Sequence, residues 1–248
     1  MKRLLILLVL CSSAWALPAF VQAGNCSAAA ATCNVTLGSN TTATDQLTIV
    51  VNGVHADAAS VSTGAGDSFS TIVAAFGVAN TGDMTVFQTL SEVGGTTTVT
   101  CNVASAVKTV CVVMETSGAS TLDLHPAGLN SATSTSWTTT TYTSAQSSEI
   151  LMACFATDGG AVTSYSSPVI GGQVATINAN ASNTSTGRAA VCQYYVASAI
   201  QTSQVGTVTV GTTETSNSVI ISMYQAGGAA GGSKEVGPGK DIGPGKNL

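Results

Sequence analysis

Charged side chains are scarce in this sequence. Asp, Glu, Lys and Arg make up 8% of the 248 residues, and the formal net charge is -5. Between Gly24 and Gly232 the only basic residues are Lys108 and Arg188. Because phosphate binding depends on clustered Lys and Arg, this composition argues against a nucleic-acid partner. It also argues against binding to an anionic membrane surface.

The sequence also lacks long apolar runs and metal-binding motifs. No segment beyond the first residues is apolar for the roughly 20 residues that a membrane-spanning helix needs, so no membrane span is predicted. There is no Cys-x-x-Cys pair, and both histidines, His55 and His125, lie far from the cysteines in sequence. These absences argue against a zinc site, and no cofactor is predicted.

The first 23 residues have the pattern of a secretory signal peptide. Lys2 and Arg3 precede an apolar run that extends from Leu4 to Leu10, and the segment ends on Val21-Gln22-Ala23, where small residues flank Gln22. This order of charge, apolar run and small-residue cleavage site predicts export. We therefore expect a secreted, extracellular chain that begins near Gly24.

Six cysteines follow the predicted signal peptide, and an exported protein meets an oxidising compartment. An even number of cysteines predicts a set of disulfides, although six cysteines allow many connectivities. The short spacings favour local loop or hairpin bridges for the first four, which leaves the last two to pair. The preferred pairs are Cys26 with Cys33, Cys101 with Cys111, and Cys154 with Cys192.

The sequence pattern in the body of the chain predicts β-strands. Short runs rich in Thr, Val and Ile recur between Gly, Asn, Asp or Ser breaks, and none holds a helical period for three turns. In "TTTVTCNV", Val99, Cys101 and Val103 fall on one face, whereas "KTVCVVME" is apolar on both faces and predicts a central strand. We predict a two-sheet antiparallel sandwich with jelly-roll or Greek-key connections over residues 24–227.

Residues 228–248 end in "VGPGKDIGPGKNL", a Gly/Pro/Lys-rich repeat that predicts a flexible tail. Alternatively, the tail is an arm that reaches toward the acidic body of another copy with its three lysines, Lys234, Lys240 and Lys246.

Five runs in the chain together resemble a known group of domains. They are "TTATDQLTIVV", "GDSFSTIVAA", "VGGTTTVTCNV", "SSEILMACFA" and "NSVIISMYQAGG". In this order they resemble secreted bacterial and phage-associated β-sandwich domains of mostly unassigned function. The resemblance implies a jelly-roll or concanavalin-like fold on an exported or particle-associated protein. It implies no functional residue.

The residues offer little sign of catalysis, so we predict that the protein is not an enzyme. His55 with Asp57, and His125 with Asp123, would suit a Ser-His-Asp arrangement, but no Gly-x-Ser-x-Gly motif marks a nucleophile. A secreted glycan-active hydrolase, the second alternative, would use a pair among Glu92, Glu115, Glu149 and Asp158. Glu92 and Asp158 stand beside Gly pairs, so we expect them to be solvated loop acids.

Two kinds of binding site stay open. Asp57, Asp67 and Asp83 fall in loop-like segments and could hold a structural calcium, since Ca²⁺ prefers oxygen ligands. A carbohydrate-binding module would present an exposed aromatic ring, and the candidates are Trp137 and Tyr165, with burial in the core as the alternative for Trp137. We expect an exported structural or adhesive surface protein, with self-assembly left open, and a carbohydrate-binding module as the first alternative.

Overall fold

The protein is built from antiparallel β-strands. A computed structural model describes residues 17–53, 58–76, 83–104, 108–157, 162–183 and 187–225, and it contains no helix in these ranges. The all-β prediction is therefore confirmed. The strands are β1 Ala19–Ala28, β2 Thr32–Thr36, β3 Gln46–Gly53, β4 Ala59–Thr63, β5 Ser70–Phe76, β6 Asp83–Thr89, β7 Thr98–Val103, β8 Thr109–Ser117, β9 Thr121–Leu124, β10 Ala127–Thr138, β11 Glu149–Thr157, β12 Tyr165–Ile170, β13 Gln173–Val174, β14 Thr176–Asn183, β15 Arg188–Ala197 and β16 Gly206–Tyr224.

The described strands form three sheets, where the sequence predicted two. The central sheet has the order β1-β8-β3-β6-β5, and the outer sheet has the order β2-β7-β4. The large sheet has the order β13-β12-β16-β11-β15-β14, and β9 and β10 also pair with β16. The central sheet lies between the other two, because its two faces contribute to two different apolar cores.

The central strands are buried on both faces, as "KTVCVVME" predicted. In β8, Val112 and Met114 face the core shared with the large sheet, while Cys111 and Val113 face the core shared with the outer sheet. The alternation predicted for β7 is also confirmed, since Val99 and Cys101 are buried. Because a core lies on each of its faces, the central sheet buries apolar side chains on both sides.

A third core forms because the large sheet curls over itself. Strand β16 is 19 residues long and pairs first with β12 and later with β11. Val208, near its start, and Ile220, near its end, consequently meet in one core with Phe155 and Trp137. The curl adds a further layer that no single strand pattern predicts.

Buried amide side chains connect the layers. Asn52 of the central sheet donates to the carbonyl oxygens of Thr157 and Ala189 at 2.7 and 3.1 Å. Gln193 of β15 donates to the carbonyls of Val169 in β12 and Thr207 in β16, both at 3.0 Å. Each amide satisfies backbone groups of two strands and so fixes how the layers sit on one another.

The three predicted disulfides are present, Cys26–Cys33, Cys101–Cys111 and Cys154–Cys192. Their places in the fold differ from the prediction of local hairpin bridges. Cys26 lies opposite Cys111 in the central sheet, and Cys33 lies opposite Cys101 in the outer sheet. The first two disulfides therefore run between sheets and join the outer sheet to the central one.

The N-terminal part of the fold lies within the predicted signal peptide. Strand β1 begins at Ala19, and its first half pairs with β8. Residues 17–23 thus belong to the described structure, whereas the predicted tail, 228–248, lies outside the described residues. No helix in the described ranges is long and apolar enough to cross a membrane.

Candidate functional site

Trp137 lies in the core and not on the surface. It is fully buried on β10, its ring centroid lies 6.3 Å from that of Phe155, and its Nε1 donates to the carbonyl of Glu214 at 3.2 Å. A sugar stacks on an aromatic ring only where a ring face is exposed. The interpretation of Trp137 as a glycan platform is therefore wrong, and the alternative of a core tryptophan holds.

Tyr165 occupies a similar environment at the start of β12. It packs against the same core as Trp137, and its hydroxyl oxygen is buried without a hydrogen-bond partner. Burial raises the pKa of this hydroxyl well above its usual range. Tyr165 is thus positioned for packing, and it is not part of an exposed aromatic platform with Trp137.

The outer face of the outer sheet is the most distinctive described surface, and we call it the hydroxyl face. Its three strands contain no charged residue, and their outward side chains are hydroxyls and amides. The strand register aligns them in rows, with Asn34 opposite Thr100 and Thr100 opposite Ser62. The members of the face are Thr32, Asn34, Thr36, Ser60, Ser62, Thr98, Thr100 and Asn102.

An open groove of about 530 Å³ borders one end of the hydroxyl face. Its lining is uncharged and combines glycines with threonine hydroxyls: Gly64, Ala65, Gly94, Gly95, Thr96, Thr97, Thr98 and Thr100. Gly94 adopts φ +82°, and a Cβ there would lie 2.5 Å from the backbone nitrogen of Ala43. The backbone of the groove at position 94 therefore accepts only glycine without strain.

Behind the groove, three acidic residues are buried at the end of the central sheet, and we call them the carboxyl cluster. Asp45, Glu92 and Glu115 are 8%, 3% and 0% exposed. Glu115 accepts hydrogen bonds from the Thr42 backbone N–H at 2.8 Å and from Nε2 of Gln22 at 2.5 Å. Neither carboxyl oxygen of Glu92 has a hydrogen-bond partner.

The expectation that Glu92 is a solvated loop acid is wrong. The loop at "EVGG" folds inward, since the Glu92 N–H donates to the Asp45 carbonyl and the Thr44 N–H donates to the Glu92 carbonyl, both at 3.0 Å. The pKa of Glu92 is raised to about 8, first by burial and then by the neighbouring carboxyls of Glu115 and Asp67. Burial, followed by Glu115, raises the pKa of Asp45 to about 6.

The other acids proposed for catalysis are not gathered around a cleft. Glu149 is fully buried at the start of β11, and its carboxylate accepts hydrogen bonds from the Ser222 hydroxyl and the Gln146 backbone N–H. Asp123 accepts a hydrogen bond from the Ala145 N–H at 3.0 Å, and His125 is exposed. His55, Asp57 and Asp158 lie outside the described residues.

The three aspartates considered as calcium ligands are not gathered into one site among the described residues. Asp67 accepts hydrogen bonds from the Val93 N–H at 2.6 Å and from the Thr63 hydroxyl, so its carboxylate closes a loop. Asp83 is buried at the start of β6, and Asp57 lies outside the described residues. Within the described ranges, no group of three or more His, Cys, Asp or Glu side chains is placed to hold a metal ion.

No protein-family model, no curated protein and no solved structure matches this chain.

Proposed function

We propose that this is an exported, non-enzymatic structural or adhesive protein of a cell or particle surface, and that copies associate through the hydroxyl face. The observation that carries the proposal is an exposed sheet face without a single charge. The three disulfides support export, because such bonds form in oxidising compartments. The resemblance to secreted β-sandwich domains of jelly-roll or concanavalin-like type supports the same reading.

The two edge strands of the outer sheet are uncharged like its face, and this matters because sheet edges normally carry protection. Natural proteins place Lys, Pro or inward-pointing charges on edge strands, which keeps other chains from pairing there. Strands β2 and β4 flank β7 in the outer sheet, and neither contains Lys, Arg, Asp, Glu or Pro. Nothing in these two strands opposes the approach of a second copy.

The size of the face limits the strength of any contact. Three strands of about five residues cover roughly 17 Å by 15 Å from ordinary strand geometry. A standard protein interface buries about 800 Å² on each partner. A single contact through the hydroxyl face is therefore weak, and it becomes effective where many copies are held side by side on a surface.

The proposal is tested by placing charge on the hydroxyl face. Ser62→Glu puts a carboxylate on exposed β4, and Thr209→Glu makes the same change in net charge on exposed β16, outside the face. Sedimentation velocity and electron microscopy of the purified exported protein then report association. We expect wild type and Thr209→Glu to associate alike and Ser62→Glu to associate about tenfold more weakly.

Wild-type protein that stays monomeric at high concentration would contradict the proposal. Equal association of both variants would show that the hydroxyl face is not the contact.

A carbohydrate-binding module is the second candidate, and the groove beside the hydroxyl face favours it. Sugars are recognised through hydrogen bonds to polar groups, and uncharged threonine hydroxyls line this groove. The groove lacks an aromatic ring, so binding would depend on hydrogen bonds alone. A glycan array with wild type and Thr98→Val distinguishes the candidates, because only a groove-bound sugar gives saturable binding that the variant loses.

A further inference from the structure

Residues 17–23 are part of the folded protein, and this bears on where the exported chain begins. In β1, Ala19 pairs with Ser117, Phe20 with Thr116, and Ala23 with Met114 of β8. A mature chain that began at Gly24 would lack the first half of this ten-residue strand. One end of β8 would then lose its pairing with β1 in the central sheet.

Phe20 connects two sheets. Its ring stacks on Tyr194 of β15, with the ring centroids 4.7 Å apart and the planes at 12°. Both rings pack against the core between the central and large sheets. Removing residue 20 would therefore open this core at its edge, since nothing else on β1 supplies an aromatic ring.

Gln22 holds a buried carboxylate and a loop together. Its Nε2 donates to Glu115 and to the carbonyl of Ser39 at 3.1 Å, and its Oε1 accepts the Ser39 backbone N–H at 3.0 Å. Glu115 is fully buried, and a buried acceptor that loses its donor is strongly unfavourable. Cleavage after Ala23 would remove this donor.

Packing contacts of this segment include Leu17 and Pro18. Pro18 is buried, and a Cβ added at Gly118 would lie 3.0 Å from the Leu17 carbonyl oxygen, so the backbone at Leu17 packs closely on the turn at Gly118. The side chain of Leu17 is 56% exposed. The folded structure therefore sets a limit: a leader can end no later than residue 16 without removing packed residues.

We propose that a signal peptidase cleaves the Ala16–Leu17 bond, a proposal that rests on the proposed export. Ala14-Trp15-Ala16 provides small residues three positions and one position before this bond, the Ala-x-Ala pattern of such sites. Water adds across the amide, so that Ala16 leaves with the leader as a carboxylate and Leu17 gains a free α-ammonium group. The mature chain retains all of β1.

The test is an intact-mass measurement on protein exported from a bacterial host, with two matched arginine variants. Ala16→Arg places a large residue next to the proposed bond. Val21→Arg places one in the alternative site, at a side chain that is 41% exposed and so accepts arginine in the fold. We expect wild type and Val21→Arg to begin at Leu17, and Ala16→Arg to lose processing at this bond.

Exported protein that begins at Gly24 would overturn the cleavage proposal and leave the proposed function intact. A chain that is never exported would overturn both.

A second measurement compares chains produced directly with Leu17 or Gly24 as the first residue. We expect the Leu17 chain to match the exported protein in thermal midpoint and the Gly24 chain to unfold at a lower temperature. Equal midpoints would contradict the structural basis of the proposal, whatever the cleavage position.

Discussion

Two of the places where the protein buries acidic groups are built differently. Glu149, in the large sheet, receives hydrogen bonds from the Ser222 hydroxyl and the Gln146 N–H. The carboxyl cluster places Asp45, Glu92 and Glu115 together, and Glu92 has no hydrogen-bond partner for either oxygen. Burial raises the pKa of both Glu149 and Glu92. At Glu149 the Ser222 hydroxyl, the Gln146 N–H and the Ser144 side chain oppose the rise, whereas at Glu92 only the nearby Thr41 side chain opposes it.

The difference teaches how a sheet protein tolerates buried acids. A buried carboxylate that accepts several hydrogen bonds keeps much of the stabilisation that water would give it. Carboxyls that face one another without such donors retain protons instead. Glu149 is thus a structural acceptor held by several donors, and because its pKa is also raised it adds to the pH dependence that the carboxyl cluster gives the fold.

The largest effect that separates the two sites comes from glutamate replacements. Glu149→Ala removes the acceptor for Ser222 and Gln146, and we expect it to lower the free energy of unfolding by about 2–4 kcal/mol. Glu92→Gln removes a carboxyl that is costly to ionise, so at pH 8.5 we expect it to be neutral or stabilising. Urea denaturation of both variants and wild type measures this, and a large loss in Glu92→Gln would refute the comparison.

These results depend on features that the sequence revealed only in part. Alternation in β7 and the doubly apolar β8 predicted strands, burial and a central position correctly. Each strand pattern, however, describes one strand and not the layer that covers it. The outer sheet and the curl of β16 therefore emerged only from the pairing of distant segments.

The carboxyl cluster was hidden for the same reason. Gln22 and Thr42, which donate to Glu115, lie 93 and 73 residues away from it in sequence. Trp137 stands in "STSWTTTT", where every neighbour is polar, so local sequence could not show that its ring turns toward Phe155. The first two cysteine pairs were predictable, because close spacing in sequence limits the distance between thiols, and Cys154 and Cys192 were the two that remained.

The second prediction concerns pH. Glu92 and Asp45 have pKa values of about 8 and about 6 in the folded protein, above the ordinary values of 4.5 and 3.8. These two carboxyls therefore bind protons more tightly in the folded state than in the unfolded state. Their contribution to stability is fully present below about pH 4 and is lost as pH rises toward 8. We expect the thermal midpoint at pH 5 to exceed that at pH 8.5 by several degrees.

Glu92→Gln supplies the control for this pH dependence. The variant should lose the part of the slope that Glu92 contributes as pH rises toward 8, and keep the parts that Asp45 and Glu149 contribute. A wild-type midpoint that rises from pH 5 to pH 8.5 would contradict the assignment.

A smaller effect is expected from the donor side of the carboxyl cluster. Gln22→Ala removes the hydrogen bond to Glu115, which should cost about 1–3 kcal/mol because the acceptor stays buried. Asn102→Ala, which removes a hydrogen bond from the exposed Thr32 hydroxyl, is the matched control and should cost much less. Chemical denaturation of both variants is the measurement, and equal losses would mean that burial of Glu115 does not set the cost.

The smallest effect comes from Asp67, which influences the carboxyl cluster through its charge. Asp67 raises the pKa of Glu92 less than burial and Glu115 do. Asp67→Asn removes the charge but keeps an oxygen for the Val93 N–H and an amide for the Thr63 hydroxyl. The loop should therefore stay closed, while the pKa of Glu92 moves down toward its ordinary value.

For Asp67→Asn we expect nearly unchanged stability at pH 5. The midpoint of the stability-against-pH curve should be displaced to lower pH by about a few tenths of a pH unit. The displacement should shrink in high salt, because salt screens the interaction between the two carboxylates. A displacement to higher pH would show that Asp67 acts on the cluster through the loop and not through its charge.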